Sequence, residues 1–273
     1  MSYQLLALDL DGTTLNSAHV ILPQVKAALE KAKSKIDIMI VTGRHHTAAR
    51  PYYLELGLDT PTIHCNGTYL YDYLHNKVLM EDAIPKNLGA QFIQLAQEKN
   101  LNMLMYVTDA MVVSQHQPVD FIHHLEDWSQ HFPASIKPNI RRIDSFTQSL
   151  KQSQYLWKFV LEGDPKQLKK FIALPFIQTH FSAEQSWENR FDIAYKGNTK
   201  GRRLAQYLQM RQLDPSQMIA IGDNFNDISM LKLAGLGVAM AQAAPEVQAC
   251  ADFVTTEDNN GRGIIEVIEK FIL

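Results

Sequence analysis

Both ends of this chain are built from short apolar runs, each followed by a stretch with apolar residues at helical spacing. At the front, residues 3–9 read as a strand, and Pro23 stands where a first helical turn tolerates it, with Val25, Ala28, Leu29 and Ala32 following on one face. A strand at 36–41, a helix at 47–56 and a strand at 62–65 continue the series. At the back, a helix at 200–210 leads to a strand at 218–222, and a helix at 226–233 to a strand at 236–240. A short helix, a strand at 253–255 and a helix at 263–271 close the chain. Parallel strands need crossover connections, and helices supply them, so this alternation predicts one parallel sheet covered by helices.

The middle has another texture. Runs at 69–73 and 78–80 flank "LHNK" as a hairpin. After Pro85 come a helix at 88–100, a hairpin of 103–107 with 111–115, a helix at 119–131, a strand at 155–161 and a helix at 165–173. Two more strand-like runs lie within 178–195. The fold class expected is α/β: a Rossmann-like, doubly wound parallel sheet core over 1–84 and 190–273, with an inserted α+β domain over 85–189. The 273 residues suit two domains at roughly 100–200 residues each.

Composition narrows the partners. A net charge of −3 offers no broad basic field for nucleic acid or an anionic membrane. No apolar run approaches the ~20 residues that cross a bilayer, and the N-terminus lacks a basic leader and cleavage site. A cytoplasmic protein is expected, a monomer or small homo-oligomer. The two cysteines, Cys65 and Cys250, stand far apart in apolar surroundings and read as buried free thiols.

In an open parallel sheet, ligands bind beyond the carboxyl ends of the strands. Four polar clusters fall there: "DLDGT" from Asp9, "TGR" from Thr42, the pair Lys200-Gly201, and "GDNFND" from Gly222. Each alone is an ordinary turn, cap or solvated charge. Arriving together at one rim, they suit phosphoryl transfer through an enzyme carboxylate. Asp9 can be the nucleophile. Asp9 and Asp223 offer hard oxygen ligands for Mg²⁺, and Lys200 adds a second positive charge. The Thr42 hydroxyl and backbone N–H groups near Leu10 and Gly43 can hold phosphate oxygens. Asp11, two residues from Asp9, would share its face if the strand continued, and could protonate the leaving oxygen and then deprotonate water. Asp227 is expected to support the metal shell, with Arg44 and Asn66 around it.

These motifs resemble, in order and spacing, those of the haloacid dehalogenase superfamily of phosphatases. "CNGTYLYD" (65–72), "GDNFNDISMLKLAG" (222–235) and the placement of the insert resemble its Cof-type subfamily, whose inserted α/β cap selects substrates. Within that subfamily, "VTGRHH" (41–46), "LDTPTIHCNGTYLYDY" (58–73), "LMYVTDAMV" (104–112) and "GNTKGRRL" (197–204) are similar to bacterial pyridoxal phosphate phosphatases. The resemblance implies nucleophile Asp9, acid/base Asp11, and Mg²⁺ on Asp9, the Asp11 carbonyl and Asp223. It also implies phosphate contacts from Leu10, Thr42, Gly43, Lys200 and Asn226.

The function expected is Mg²⁺-dependent hydrolysis of a small phosphorylated metabolite through an aspartyl-phosphate, with pyridoxal 5'-phosphate first and sugar phosphates second. A phosphosugar mutase and a non-catalytic phospholigand sensor are the alternatives. His45 and His46 could touch substrate or simply start a helix. His123 and His124 read as a solvated face, and Tyr69, Tyr71 and Tyr73 as packing.

Overall fold

The computed structural model describes residues 3–117 and 119–273. Among them, fourteen strands follow in chain order. They are β1 (Leu5–Leu8), β2 (Asp37–Ile40), β3 (Thr62–His64), β4 (Tyr69–Asp72), β5 (Lys77–Glu81), β6 (Asn102–Val107) and β7 (Ala110–Ser114). Next come β8 (Ile140–Ile143), β9 (Leu156–Glu162), β10 (Phe181–Trp187), β11 (Arg190–Tyr195), β12 (Met218–Gly222), β13 (Leu236–Ala239) and β14 (Phe253–Val254).

The chain divides into two compact units. The first takes the stretch up to Gly43, Tyr52–Met80 and Thr199–Leu273; the second takes Arg44–Pro51 and Glu81–Asn198. In the first unit, five parallel strands run in the order β14-β13-β12-β1-β2. Strand β1, between β12 and β2, is buried along its whole length, as a strand covered on both faces must be. The helix Lys200–Arg211 lays Leu204, Tyr207 and Leu208 on this sheet's core beside Ala7, Met39 and Ala220. The strand expected at 62–65 is not a full member of the parallel sheet. It pairs with β4 in a separate three-stranded sheet and touches the parallel sheet through one bridge, Val41 to Ile63.

The second unit holds a six-stranded sheet in the order β10-β11-β9-β6-β7-β8, with only β7 and β8 parallel. Alternate residues of β6 and β9 feed an apolar core of Phe92, Met103, Met105, Phe159 and Leu161. Phe92 stacks on Phe159 with centroids 4.1 Å apart. Three elements here are not predicted by the sequence: β8 and the helices Phe146–Gln152 and Pro175–His180. Each is too short to show a period.

Arg44–Pro51 joins this unit because His45 pins it there. His45 is fully buried, its Nε2–H donates to the Val107 carbonyl at 2.9 Å, and its Nδ1 accepts the Thr47 N–H at 3.2 Å. Burial lowers its pKa to about 3, so the imidazole stays neutral and acts as a helix cap. His123 and His124 are exposed, as expected. Cys65 is buried, but Cys250 is half-exposed: it stands two residues past the short helix Pro245–Gln248, with Sγ bonded to the Glu246 carbonyl. No helix among the described residues is long and apolar enough to cross a membrane.

Candidate active site

Registers around β1 decide what meets at the rim. Leu8 lies opposite Ile40 of β2 and Ile221 of β12. The residues just past those positions are Asp9, Thr42 and Asp223, so three neighbouring strands deliver them to one edge. Lys200 arrives as the first residue of its helix, whose N-cap Thr199 accepts the Arg202 N–H.

Lys200 is completely buried, and its Nζ donates to Asp9 Oδ1 and to Asp227 Oδ1, each at 2.6 Å. The second oxygen of Asp227 accepts the N–H groups of Asp223 and Asn224, both at 3.0 Å. Asp227 therefore ties the lysine to the loop that carries Asp223. Thr13 Oγ1 donates to Asp223 Oδ1 at 2.8 Å, and Thr14 Oγ1 to the Asp9 carbonyl at 2.6 Å.

Oxygen atoms of Asp9, Asp223 and Asp227 lie within 4.8 Å of one another. One ammonium does not balance three carboxylates in so small a space. Burial raises the Asp9 carboxyl well above its usual value; Lys200 opposes the rise, while Asp227 and Asp223 add to it. Asp223 is pushed up to about 6 by burial and by Asp227. Burial works against the charge on Lys200, but Asp227 and Asp9 outweigh it and its pKa is raised. Hard oxygen donors in excess of positive charge are what a cation such as Mg²⁺ requires, so the residues fit one.

Asp11 is aimed differently from the sequence expectation. The strand stops at Leu8, and the Leu10 carbonyl accepts the N–H groups of both Thr13 and Leu15, which turns the chain. Gly12 makes the turn at φ +82°, and a Cβ there would stand 2.3 Å from Asp223 Oδ2. Asp9 and Asp11 thus do not share a strand face: Asp9 is buried, whereas Asp11 is exposed, with His19 Nδ1 3.4 Å away.

A strained segment closes the rim. Cys65, Asn66 and Gly67 take φ of 50°, 57° and 95° in succession, a left-handed run that costs energy and collects at functional sites. It turns Asn66 so that its N–H meets the Thr42 carbonyl at 3.2 Å and its Oδ1 accepts from Asn226 Nδ2 at 3.1 Å. Asn226 Oδ1 is buried with no partner among the described residues, an atom suited to a ligand or ordered water.

Asp9, Leu10, Asp11, Thr42, Gly43, Asn66, Lys200, Asp223, Asn226 and Asp227 all belong to the first unit. Arg44 does not: it belongs to the second, its guanidinium 4.9 Å over the Trp128 ring. Sequence reasoning missed Thr13, Thr14 and Arg203. Arg203 is buried one turn beyond Lys200 and donates to the carbonyls of Gly67 and Thr68, both at 3.0 Å. Its signal was its spacing of three from Lys200 on one helix face.

Residues 6–268 match the family model of the haloacid dehalogenase-like hydrolases. The chain is 39% identical to the pyridoxal phosphate phosphatase YbhA of Escherichia coli (strain K12), with all of both chains covered. It is 26% identical to the putative phosphatase YxeH of Bacillus subtilis (strain 168) over 99% of each chain. A haloacid dehalogenase-like hydrolase from Bacteroides thetaiotaomicron has the same fold, with a TM-score of 0.86, 24% identity and coverage of 98% and 99%.

Proposed function

The chain belongs to the haloacid dehalogenase-like hydrolases and is a phosphatase; on that premise, we propose that it hydrolyses pyridoxal 5'-phosphate through an aspartyl-phosphate on Asp9. The observation that carries the chemistry is a buried Asp9 bonded to a buried Lys200, with Asp223 beside them. The substrate rests on the full-length similarity to a pyridoxal phosphate phosphatase.

In the first step an Asp9 carboxylate oxygen attacks phosphorus and the bond from phosphorus to the ester oxygen breaks. Asp11, exposed and therefore able to meet solvent and substrate, gives its proton to the departing oxygen. In the second step water attacks the same phosphorus, Asp11 takes its proton, and phosphate leaves as the Asp9 carboxylate re-forms. Lys200 opposes the rise that burial imposes on the Asp9 carboxyl, which favours its ionised, attacking form, and it opposes the charge of the phosphoryl oxygens. Thr42, the backbone at Leu10 and Gly43, and Asn226 are the proposed phosphate contacts. Asp9, Asp223 and the Asp11 carbonyl are the proposed holders of Mg²⁺, with Asp227, through its bonds to Lys200 and the Asp223 loop, keeping them in place. When bound, the ion supplies charge neutralisation between two anionic reactants. The inserted unit is the proposed substrate-specificity domain.

The test is phosphate release from a panel of phosphorylated metabolites, with Asp9→Asn as control. Pyridoxal 5'-phosphate is expected to give the highest kcat/KM, and Asp9→Asn no turnover. A better sugar phosphate replaces the substrate, and isomerisation without phosphate release points to a mutase. Near-normal activity of Asp9→Asn removes the nucleophile assignment.

A further inference from the structure

The loop that carries Asp9 and Asp11 is fastened from far along the chain. Within itself it has the Thr14 hydroxyl on the Asp9 carbonyl and the Leu15 N–H on the Leu10 carbonyl at 2.8 Å. Three further fastenings come from residues 230 or more positions away. Gln242 Nε2 donates to the Gly12 carbonyl at 2.5 Å. Asn259 Nδ2 donates to the Leu15 carbonyl at 2.7 Å. Asn260 Oδ1 accepts the Ser17 N–H at 3.1 Å and the Ser17 hydroxyl as well.

These amides sit on loops that follow β13 and β14, and both strands run parallel to β1 and end at the same rim. The loops are themselves braced. Thr255, buried, accepts the Ala241 N–H at 2.9 Å and donates to the Glu257 carbonyl at 2.7 Å. Asp258 Oδ1 accepts the Asn260 N–H at 2.9 Å, and the Glu257 carboxylate accepts the Arg262 N–H at 3.0 Å. The loops that carry these amides therefore have hydrogen bonds of their own besides those to residues 12–17.

What they hold brackets Asp11. Its carboxyl is exposed and lies on no strand, so its aim depends on where the backbone of residues 10–15 stands. We propose that Gln242, Asn259 and Asn260 are positioning residues for the reaction: they fix the loop so that Asp11 meets the leaving-group oxygen. Their bonds to the loop go to backbone and Ser17, not to the carboxylates of Asp9 or Asp11, so they act through the loop. The inference rests on Asp11 being the proton donor proposed above.

A leaving-group comparison tests it. Gln242→Met and Asn259→Leu keep approximate shape and remove the donor. The single-turnover rate of the first step is measured with pyridoxal 5'-phosphate, an alkyl ester that needs a proton to leave, and with 4-nitrophenyl phosphate, whose phenolate leaves without one. The variants are expected to slow the alkyl ester by roughly tenfold or more, as lost orienting contacts do. The 4-nitrophenyl ester is expected to slow far less, so the ratio of the two rates moves by about that factor. An unmoved ratio overturns the proposal, whether both rates fall together with the melting temperature or neither changes. Gln242 is exposed, so its variant decides the matter if Asn259→Leu does not fold. A dead Asp9→Asn with an unmoved ratio removes this inference alone; an active Asp9→Asn removes the reading beneath it.

Discussion

At the scale of single residues, the site is a problem of charge. Asp223 prefers its proton up to about pH 6, against a value near 3.8 for the unfolded carboxyl. Between those values the metal-free fold holds a proton that the unfolded chain has released, so its stability falls as pH rises through that window. Asp9, raised in the same direction, deepens the trend. A divalent cation competes with those protons and does best once they are gone. The gain in melting temperature on adding Mg²⁺ over EDTA is therefore expected to be larger at pH 7 than at pH 5. Equal gains in thermal melts at the two values exclude a cation site on these carboxylates. Asp9, Asp223 and Lys200 were legible in the sequence only as a set: each alone reads as a turn or a solvated charge, but the alternation of strands and helices brings them to one rim. The part of Asp227, one oxygen on Lys200 and the other on two backbone N–H groups, was not legible, since it exists only when two loops meet.

At the scale of elements, the helix Lys200–Arg211 delivers its lysine only because the strained turn beside it lets it come close. A Cβ on Gly67 would stand 2.1 Å from the Thr199 carbonyl and 3.0 Å from the Lys200 nitrogen, and its φ of 95° is costly for any other residue. Gly67→Ala is expected to push the helix start away from Asp9. The predicted result is a kcat at least about tenfold lower in a protein that keeps its circular dichroism spectrum. A variant with normal kcat shows that the lysine reaches Asp9 without this close approach. Elements with a clear signature, such as the helical period of Lys86–Glu98 and the unbroken apolar run of β12, could be read from the sequence. The helix expected at 226–233 could not. It is a single 3-10 turn, Phe225–Asp227, running into a short helix, Ile228–Leu231. Asn224 and Asp227 cap that turn reciprocally, which keeps Asp223 on the rim rather than inside a longer helix.

At the scale of the whole molecule, each compact unit has an apolar core among the described residues. One is built on β1 and its parallel neighbours, the other on Phe92, Phe159, Phe171 and Phe181. Phe92→Ala is expected to cost about 3–5 kcal/mol, the usual penalty for deleting a buried ring. In hydrogen exchange, the faster opening should appear in the amides of β6 and β9 and leave those of β1 and β12 near their parent rates. Uniform acceleration across all four strands shows that the two cores open as one. The parallel core was foreseeable because a strand buried on both faces has to be apolar throughout, and that leaves a mark in any sequence. The second unit's boundaries were not foreseeable in the same way. Arg44–Pro51 joins it through a bond between the His45 ring and the Val107 carbonyl, 62 residues away. The sequence by itself determined the alternation, the parallel sheet and the identity of the acids and the lysine, because periodicity and residue chemistry are local properties. Tertiary structure decided that Asp11 stands off the strand, that Asn66 is held in a left-handed turn against Asn226, and that amides near residue 260 fasten the loop after β1. Those depend on which backbone groups lack a partner after folding, and no local pattern records that.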